Sequence, residues 1–303
     1  MKEKMFKCLA RIQEGIRSRN SKRFWTAFVS MMGSLAAIAT LMTVVWSPND
    51  GVPWWVIVIY VVAILGLCIW YAFWYTNMKN TIDIKVSDSL NVRVETCDIL
   101  KAPDNNVTVV HVNEYFDTIV NEKIISADSL HGKFINSLFR NRIDELDEKI
   151  ARGLADKNRY IEERDIVRKN GGKTTKYQLG TCLDFAEGRQ QYVWVAFTHF
   201  NEEDHAYIER YEYAEVLSKL FEYLLQKANG RDIYMNIIGT GFSRLNKSHQ
   251  FMLMYLLQNI YFMDSIPLRG TLHICVPPEL SSCVNLNEIE LYFKDIIAFN
   301  EKH

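Results

Sequence analysis

Residues 24–46 and 52–75 contain no charged side chain and are apolar almost throughout. A helix needs roughly 20 apolar residues to cross a hydrocarbon core about 30 Å thick, and each stretch exceeds that length. Trp25, Trp46, Trp54, Trp55, Trp70, Tyr71, Trp74 and Tyr75 gather toward the ends, where amphipathic rings favour the headgroup zone. The connector Ser47-Pro48-Asn49-Asp50-Gly51 is short and turn-forming, so the pattern predicts an antiparallel transmembrane hairpin over 24–75. A cleaved leader fits poorly, because the first stretch is too long and a second follows at once. Gly33, Ser34, Ala36, Ala37 and Ala39 make a small-residue face suited to close helix packing. No carboxylate, histidine or arginine lies within either span, and such groups usually mark ion or proton paths.

After residue 75 the pattern changes. Alternation at 81–86 (TIDIKV) and 91–96 (NVRVET) predicts half-buried strands, and the apolar run 107–112 (VTVVHV) predicts a strand covered on both faces. The polar stretch 133–169 reads as helix with a solvated face, stopped by Gly171-Gly172. Residues 177–185 and 192–200 predict a hairpin around Ala186-Glu187-Gly188-Arg189. Helices are expected over 207–228, 245–263 and 286–299, and strands over 233–238 and 271–276. Alternating strands and helices of this kind predict one three-layer α/β/α domain with a mixed central sheet over 76–303.

Charge sets the expected orientation. The arm 1–23 carries Lys2, Lys4, Lys7, Arg11, Arg17, Arg19, Lys22 and Arg23 against Glu3 and Glu14, whereas the connector carries only Asp50. The positive-inside rule then places both termini in the cytoplasm of a bacterial cell, with the chain in its inner membrane. Phe6, Leu9, Ile12 and Ile16 stand at helical spacing in this arm, which reads either as a helix on anionic lipid or as a plain orientation signal. The net charge of the whole chain is -1, and no basic stripe with interleaved aromatics appears, so nucleic acid is not an expected partner. The six cysteines show no CxxC or Cys/His spacing, which argues against a metal site and predicts buried free thiols.

In α/β domains, ligands bind beyond the carboxyl ends of the central strands. Asp98, the pair Asn113 and Glu114, and the loop Gly239-Thr240-Gly241-Phe242-Ser243-Arg244 fall at such ends. Two glycines between a buried strand and a helix let backbone N–H groups approach an anion, with Ser243 and Arg244 as further phosphate contacts. A plain tight turn explains the same loop. The loop lacks the GxxxxGK[ST] pattern of P-loop ATPases, and no GxGxxG follows the first strand. Capping and turn formation are the bland alternatives at Asp98 and Asn113. Residues 126–133 (SADSLHGK) predict a second loop entering a helix, with Gly132 allowing close approach to a ligand and His131 as a contact.

The segments TCDIL (96–100), VVHVNEYF (109–116), IIGTGFSRL (237–245) and HICVPP (273–278) together resemble a macro domain, the ADP-ribose-binding α/β/α module. HVNEYFDT followed by IISADSLHGKFI is similar to the divergent macro domains of Thoeris anti-phage effectors, and the hairpin-plus-macro arrangement to the effector of the type II branch. That resemblance implies a pathway. A partner TIR-domain enzyme consumes NAD and makes an ADP-ribose-derived signal, here an ADP-ribose–histidine conjugate. The effector binds the signal, oligomerises and compromises the membrane, ending in abortive infection.

It also implies roles. Asp98 would accept from the adenine amino group, Asn113 would contact the distal ribose, and Glu114 stands beside it. Residues 239–243 would cradle the diphosphate with Arg244 at their end, and Ser129, Leu130, His131 and Gly132 would close the opposite side. Cys97 stands where the family commonly has glycine, and SADSLHGK departs from its glycine-rich first loop. The second departure favours a sensor over an enzyme, with no catalytic residue and no cofactor. The competing readings are a membrane-tethered ADP-ribosyl hydrolase using His131 or Asp117 as base, and a structural anchor without nucleotide affinity.

Overall fold

The computed structural model describes residues 21–45, 53–76, 79–201, 203, 205–239, 247–263 and 267–300. Residues 1–20 of the basic arm and the hairpin connector lie outside them. The chain divides into two compact units, Met1–Lys79 and Asn80–His303.

The first unit contains helices α1 (Ser21–Val45) and α2 (Trp54–Thr76), of 25 and 23 residues. Phe24 and Ala27 near the start of α1 pack on Ala72 near the end of α2, flanked by Phe28 and Tyr71, so the two helices run antiparallel. Ser34 and Thr40 donate to the carbonyls of Ser30 and Ala36 at 3.0 and 2.9 Å, which satisfies their hydroxyls inside the helix. Val29, Ile38, Ile59, Val62 and Trp70 point outward and are exposed. Side chains are described continuously only over 24–38 and 58–72, and among the described residues no helix is long and apolar enough to cross a membrane. The predicted spans therefore rest on the sequence.

The second unit is built on an eight-stranded mixed sheet. Its strands are β1 (Thr81–Ser87), β2 (Leu90–Thr96), β3 (Val107–Asn113), β6 (Cys182–Glu187), β7 (Gln190–Phe200), β8 (Ala206–Tyr207), β9 (Ile233–Asn236) and β10 (Thr271–Val276). Their order is β1-β2-β10-β9-β3-β7-β6, with β8 added to β7. The central pairs from β2 to β7 are parallel, and β1 and β6 join antiparallel at the two edges. Edge strand β1 alternates exposed and buried positions as its sequence predicts, whereas β3, β7 and β10 bury successive residues and so are covered on both faces. Trp194, Phe197, Phe134, Phe139 and Leu146 are fully buried in the resulting core.

The helices of this unit are α3 (Leu130–Phe134), α4 (Ile143–Leu154), α5 (Glu212–Lys227), α6 (His249–Phe262) and α7 (Leu286–Asn300). Segment 133–169 departs from the single helix expected of it. α3 continues into a π-helical turn (Ile135–Phe139), α4 follows, and a two-stranded ribbon then pairs β4 (Ile161–Glu163) with β5 (Lys176–Tyr177). Apolar residues keep helical spacing only through 143–154, where Leu146 and Ile150 are buried. Beyond that, Asp165 takes a positive φ of 55°, which no helix accommodates. Gly180, at φ 83°, likewise breaks the strand expected over 177–185.

A second correction concerns the cysteines. Cys97 and Cys275 form a disulfide, with Cα atoms 5.2 Å apart, in place of two free thiols. β2 and β10 are parallel neighbours with Val276 opposite Thr96, which brings residues 178 positions apart in sequence side by side. Cys68 and Cys182 remain free and buried, as expected.

Candidate functional site

A cleft of about 700 Å³ opens at the carboxyl ends of β2, β3, β9 and β10, where a parallel sheet exposes its strand-end loops. Asp98, Asn113, Ser129, Leu130, His131 and Gly239 line it together. Thr240, Gly241, Phe242, Ser243 and Arg244 lie outside the described residues.

Asp98 caps the short turn Ile99–Lys101, accepting from the Leu100 N–H at 3.1 Å, and its Oδ2 lies 3.4 Å from Lys101 Nζ. The carboxylate is still 42% exposed, so it caps the turn and remains open to a ligand. Asn113 is more fully committed. Its Oδ1 accepts from the N–H groups of Tyr115 and Asp117 at 3.0 and 3.3 Å, and its Nδ2 donates to Asp117 Oδ2 at 3.1 Å. The turn reading and the cleft position thus hold at once for this side chain.

Ser129 is the N-cap of α3. Its Oγ accepts from the Gly132 N–H at 3.0 Å and donates to the Ser126 carbonyl at 2.7 Å. Gly132 itself does not face the cleft lumen. A Cβ there would lie 2.1 Å from the Ser126 carbonyl oxygen, so the glycine admits the chain's own backbone where a ligand was expected. Gly239 has φ 86°, a left-handed turn that only glycine takes without strain, and it lines the cleft three residues past the end of β9.

Glu114 is fully buried and lies outside the cleft lining. Its Oε1 accepts from the Phe200 N–H at 2.9 Å, and its Oε2 sits 2.5 Å from His199 Nδ1, while His199 Nε2 is 3.0 Å from Glu212 Oε1. The Glu114 hydrogen bond, joined by Glu212 and opposed by burial, raises the His199 pKa to about 9. A histidine raised in the folded state stabilises fully below its unfolded value near 6.5 and loses that contribution as pH climbs through about 9. Between pH 6.5 and 9.5 the full chain is therefore expected to lose on the order of 1 kcal/mol from this group. His199→Gln should flatten that part of the stability–pH curve in chemical denaturation, and an unchanged slope would refute the assignment.

His131 is 6% exposed and packs edge-on against Trp194 at 4.9 Å between ring centroids. Burial first, then His111 and Lys173, hold its pKa down to about 3, so the ring is neutral near pH 7. His111 lies in the same lining and burial lowers it to about 4. Asp117 is fully buried and does not line the cleft. Its Oδ1 accepts from the Lys173 N–H at 2.8 Å and its Oδ2 from Arg168 Nη1 at 2.7 Å. Burial raises its pKa, against the pull of Arg168 and the Lys173 amide. Of the two groups suggested as a base, His131 lines the cleft and Asp117 does not.

Several lining residues were not singled out from the sequence. Lys101, Lys123 and Lys133 carry positive charge, and Asp128 and Glu122 carry exposed carboxylates. Asn236 ends β9, and its buried Oδ1 has no hydrogen bond among the described residues. A polar residue inside the apolar run IYMNII was the signal available for it.

Comparison with known proteins places these features. Thoeris protein ThsA of Bacillus amyloliquefaciens (strain Y2) is 32% identical over 166 residues, covering 54% of this chain and 53% of that protein. The match thus spans about half the length of that relative. The Oceanobacillus iheyensis macrodomain with ADP is 11% identical, covers 71% of this chain and 97% of its own, and superposes with a TM-score of 0.49. A point mutant of the same macrodomain gives 0.48 over 72% of this chain and 100% of its own. The family described as Thoeris protein ThsA, Macro domain, matches residues 92–277. Those residues run from β2 to just past β10 and include every strand of the parallel core, and the chain belongs to that family.

Proposed function

We propose that this chain is a membrane-anchored anti-phage effector whose macro domain senses an ADP-ribose-derived nucleotide, an ADP-ribose–histidine conjugate in the most specific form of the reading. The observation that carries it is the cleft of about 700 Å³ on which Asp98, Asn113, Ser129, Leu130, His131 and Gly239 converge. Clefts of about 300–1,000 Å³ suit ligands of this size. A TIR-domain NAD-consuming enzyme is the proposed source of the signal, as in type II Thoeris systems.

The hairpin over 24–75 is the proposed inner-membrane anchor, with both termini cytoplasmic. Its support is the uncharged sequence, the antiparallel packing of α1 and α2, and the exposed apolar side chains along both helices. Ligand binding drives oligomerisation of the hairpins to the extent that the assembled state binds more tightly, and clustering then disrupts the bilayer. A second reading, the ADP-ribosyl hydrolase, is favoured by the exposed carboxylates Asp128 and Glu122 in the lining.

Calorimetric titration of the detergent-solubilised full chain with ADP-ribose and its histidine conjugate, followed by mass spectrometry of the ligand, separates these readings. Micromolar or tighter binding, about -8 kcal/mol, with intact ligand recovered is the expected result. Turnover of the ligand would establish the hydrolase, and no binding to either compound would overturn both.

A further inference from the structure

The Cys97–Cys275 disulfide joins two strands that the backbone already holds together. β2 and β10 pair in register from Asn91 opposite Thr271 to Thr96 opposite Val276, and the Cys97 N–H extends the ladder by donating to the Val276 carbonyl at 3.1 Å. The ladder brings the two Cα atoms to 5.2 Å, inside the span of roughly 4.4–6.8 Å that a disulfide bridges. The two sulfurs differ in access. Cys275 is fully buried in a cluster with Ile99 and Tyr234 and does not line the cleft, whereas Cys97 is partly exposed and lines it. A sulfur in the wall of a cleft of about 700 Å³ is open to a small thiol, while a second protein would have to enter the cleft to reach it. In the cytoplasmic placement proposed above, on which this inference rests, disulfides are as a rule transient, catalytic or redox-sensing.

We propose that Cys97 and Cys275 form a reversible thiol–disulfide exchange site whose co-substrate is a low-molecular-weight thiol and its disulfide, and that the closed bond pre-orders the Asp98 turn. In the oxidising direction the Cys97 thiolate attacks one sulfur of the small disulfide, forming a mixed disulfide and releasing one thiolate. Cys275 then gives up its proton and attacks the Cys97 sulfur, which closes the protein bond and releases the second thiolate. The protons from Cys97 and Cys275 pass to the released thiolates, and two electrons pass from the protein to the small disulfide, which leaves as two thiols. Reduction is the reverse and begins with a thiolate attacking Cys97 Sγ, the sulfur within reach from the cleft. Asp98 follows Cys97 directly and caps Ile99–Lys101, accepting from the Leu100 N–H at 3.1 Å. Fixing Cys97 to β10 removes freedom from the start of this turn, and a turn ordered in advance costs less to order on binding.

The test equilibrates the detergent-solubilised full chain in glutathione buffers of graded redox ratio, quenches in acid, alkylates the free thiols and maps the labelled peptides by mass. In the folded chain Cys97 and Cys275 should lose and regain label together as the ratio changes. Cys275→Ser should trap glutathione on Cys97, and Cys97→Ser should trap about tenfold less on the buried Cys275. Labelling of the unaltered chain needs no variant, so it decides even if a substitution impairs folding. A bond that yields only after denaturant unfolds the chain, a pair that stays reduced in oxidised glutathione, or equal capture by both sulfurs would overturn the exchange site. ADP-ribose should bind the oxidised chain about threefold or more tightly than the reduced chain, and equal affinities would overturn the pre-ordering. Failure of both forms to bind ADP-ribose would overturn the functional reading and leave the exchange site standing.

Discussion

The Gly132→Val variant is expected to lose about 3 kcal/mol or more of stability and to bind nucleotide at least tenfold more weakly. Position 132 sits where the chain folds back on itself. An added Cβ would stand 2.1 Å from the Ser126 carbonyl oxygen, 2.9 Å from its carbon and 3.0 Å from Ala127 Cα. All three are backbone atoms, so no rotamer change relieves the overlap. The displaced backbone also carries the Ser126 carbonyl that accepts from Ser129 Oγ at 2.7 Å. The cap of α3 and the position of His131 would shift together. Thermal unfolding of the full chain, with an ADP-ribose titration alongside, checks this. Because the Cβ alone makes the overlap, Gly132→Ala should show most of the effect, and a Gly132→Ala protein with an unchanged Tm would refute the packing argument.

The Asp117→Ala variant is expected to cost about 3–5 kcal/mol, because it removes the carboxylate counter-ion of a buried guanidinium. Arg168 and Asp117 are 4% and 0% exposed at the side chain, and their atoms meet at 2.7 Å. The guanidinium also lies over the rings of Tyr115 and Phe200, at 4.1 and 5.1 Å from their centroids. Phe200 lines the cleft, so Arg168 ties the excursion 164–175 to the rim of the site. Gly172, at φ 100°, leaves room for the contact, since a Cβ there would meet Arg168 Nη1 at 2.6 Å and Asp117 Oδ1 at 2.7 Å. Removing both charges with Asp117→Leu and Arg168→Met should recover much of the loss, because no ion is then left unpaired. Denaturant melts of the two single variants and the double variant measure the coupling. A cost under about 1 kcal/mol for Asp117→Ala would show that water reaches the guanidinium and that the pair is not sealed.

Much of the domain was legible in the sequence because its signals are local. The strand runs at 81–86, 107–112 and 271–276 announce themselves through alternation or continuous apolarity, and β1, β3 and β10 form there. Asp98, Asn113 and Gly239 were found by one rule, that strand ends in such a sheet meet at a cleft. The same rule misjudged Glu114. Consecutive residues at a strand end point opposite ways, and the carboxylate went to His199 and the core. Segment 133–169 misled because its charges mimic a solvated helix face, while its second half forms a ribbon that depends on β5 as a partner.

The sequence by itself determined the strand and helix alternation, the family phrases and the strand-end polar residues, since each depends on neighbours within a few positions. Tertiary structure alone decided which of these meet. Cys97 joins Cys275 across 178 residues because β2 and β10 are neighbours, and Arg168 reaches Asp117 because the chain doubles back over the end of β3. Gly132 faces backbone in place of ligand, and His131 Nε2 and Asn236 Oδ1, buried in one cleft lining, find no partner among the described residues. The physical reason is common to all four. Burial and hydrogen-bond satisfaction depend on which distant atoms fill the space around a side chain, and no periodicity along the chain encodes that.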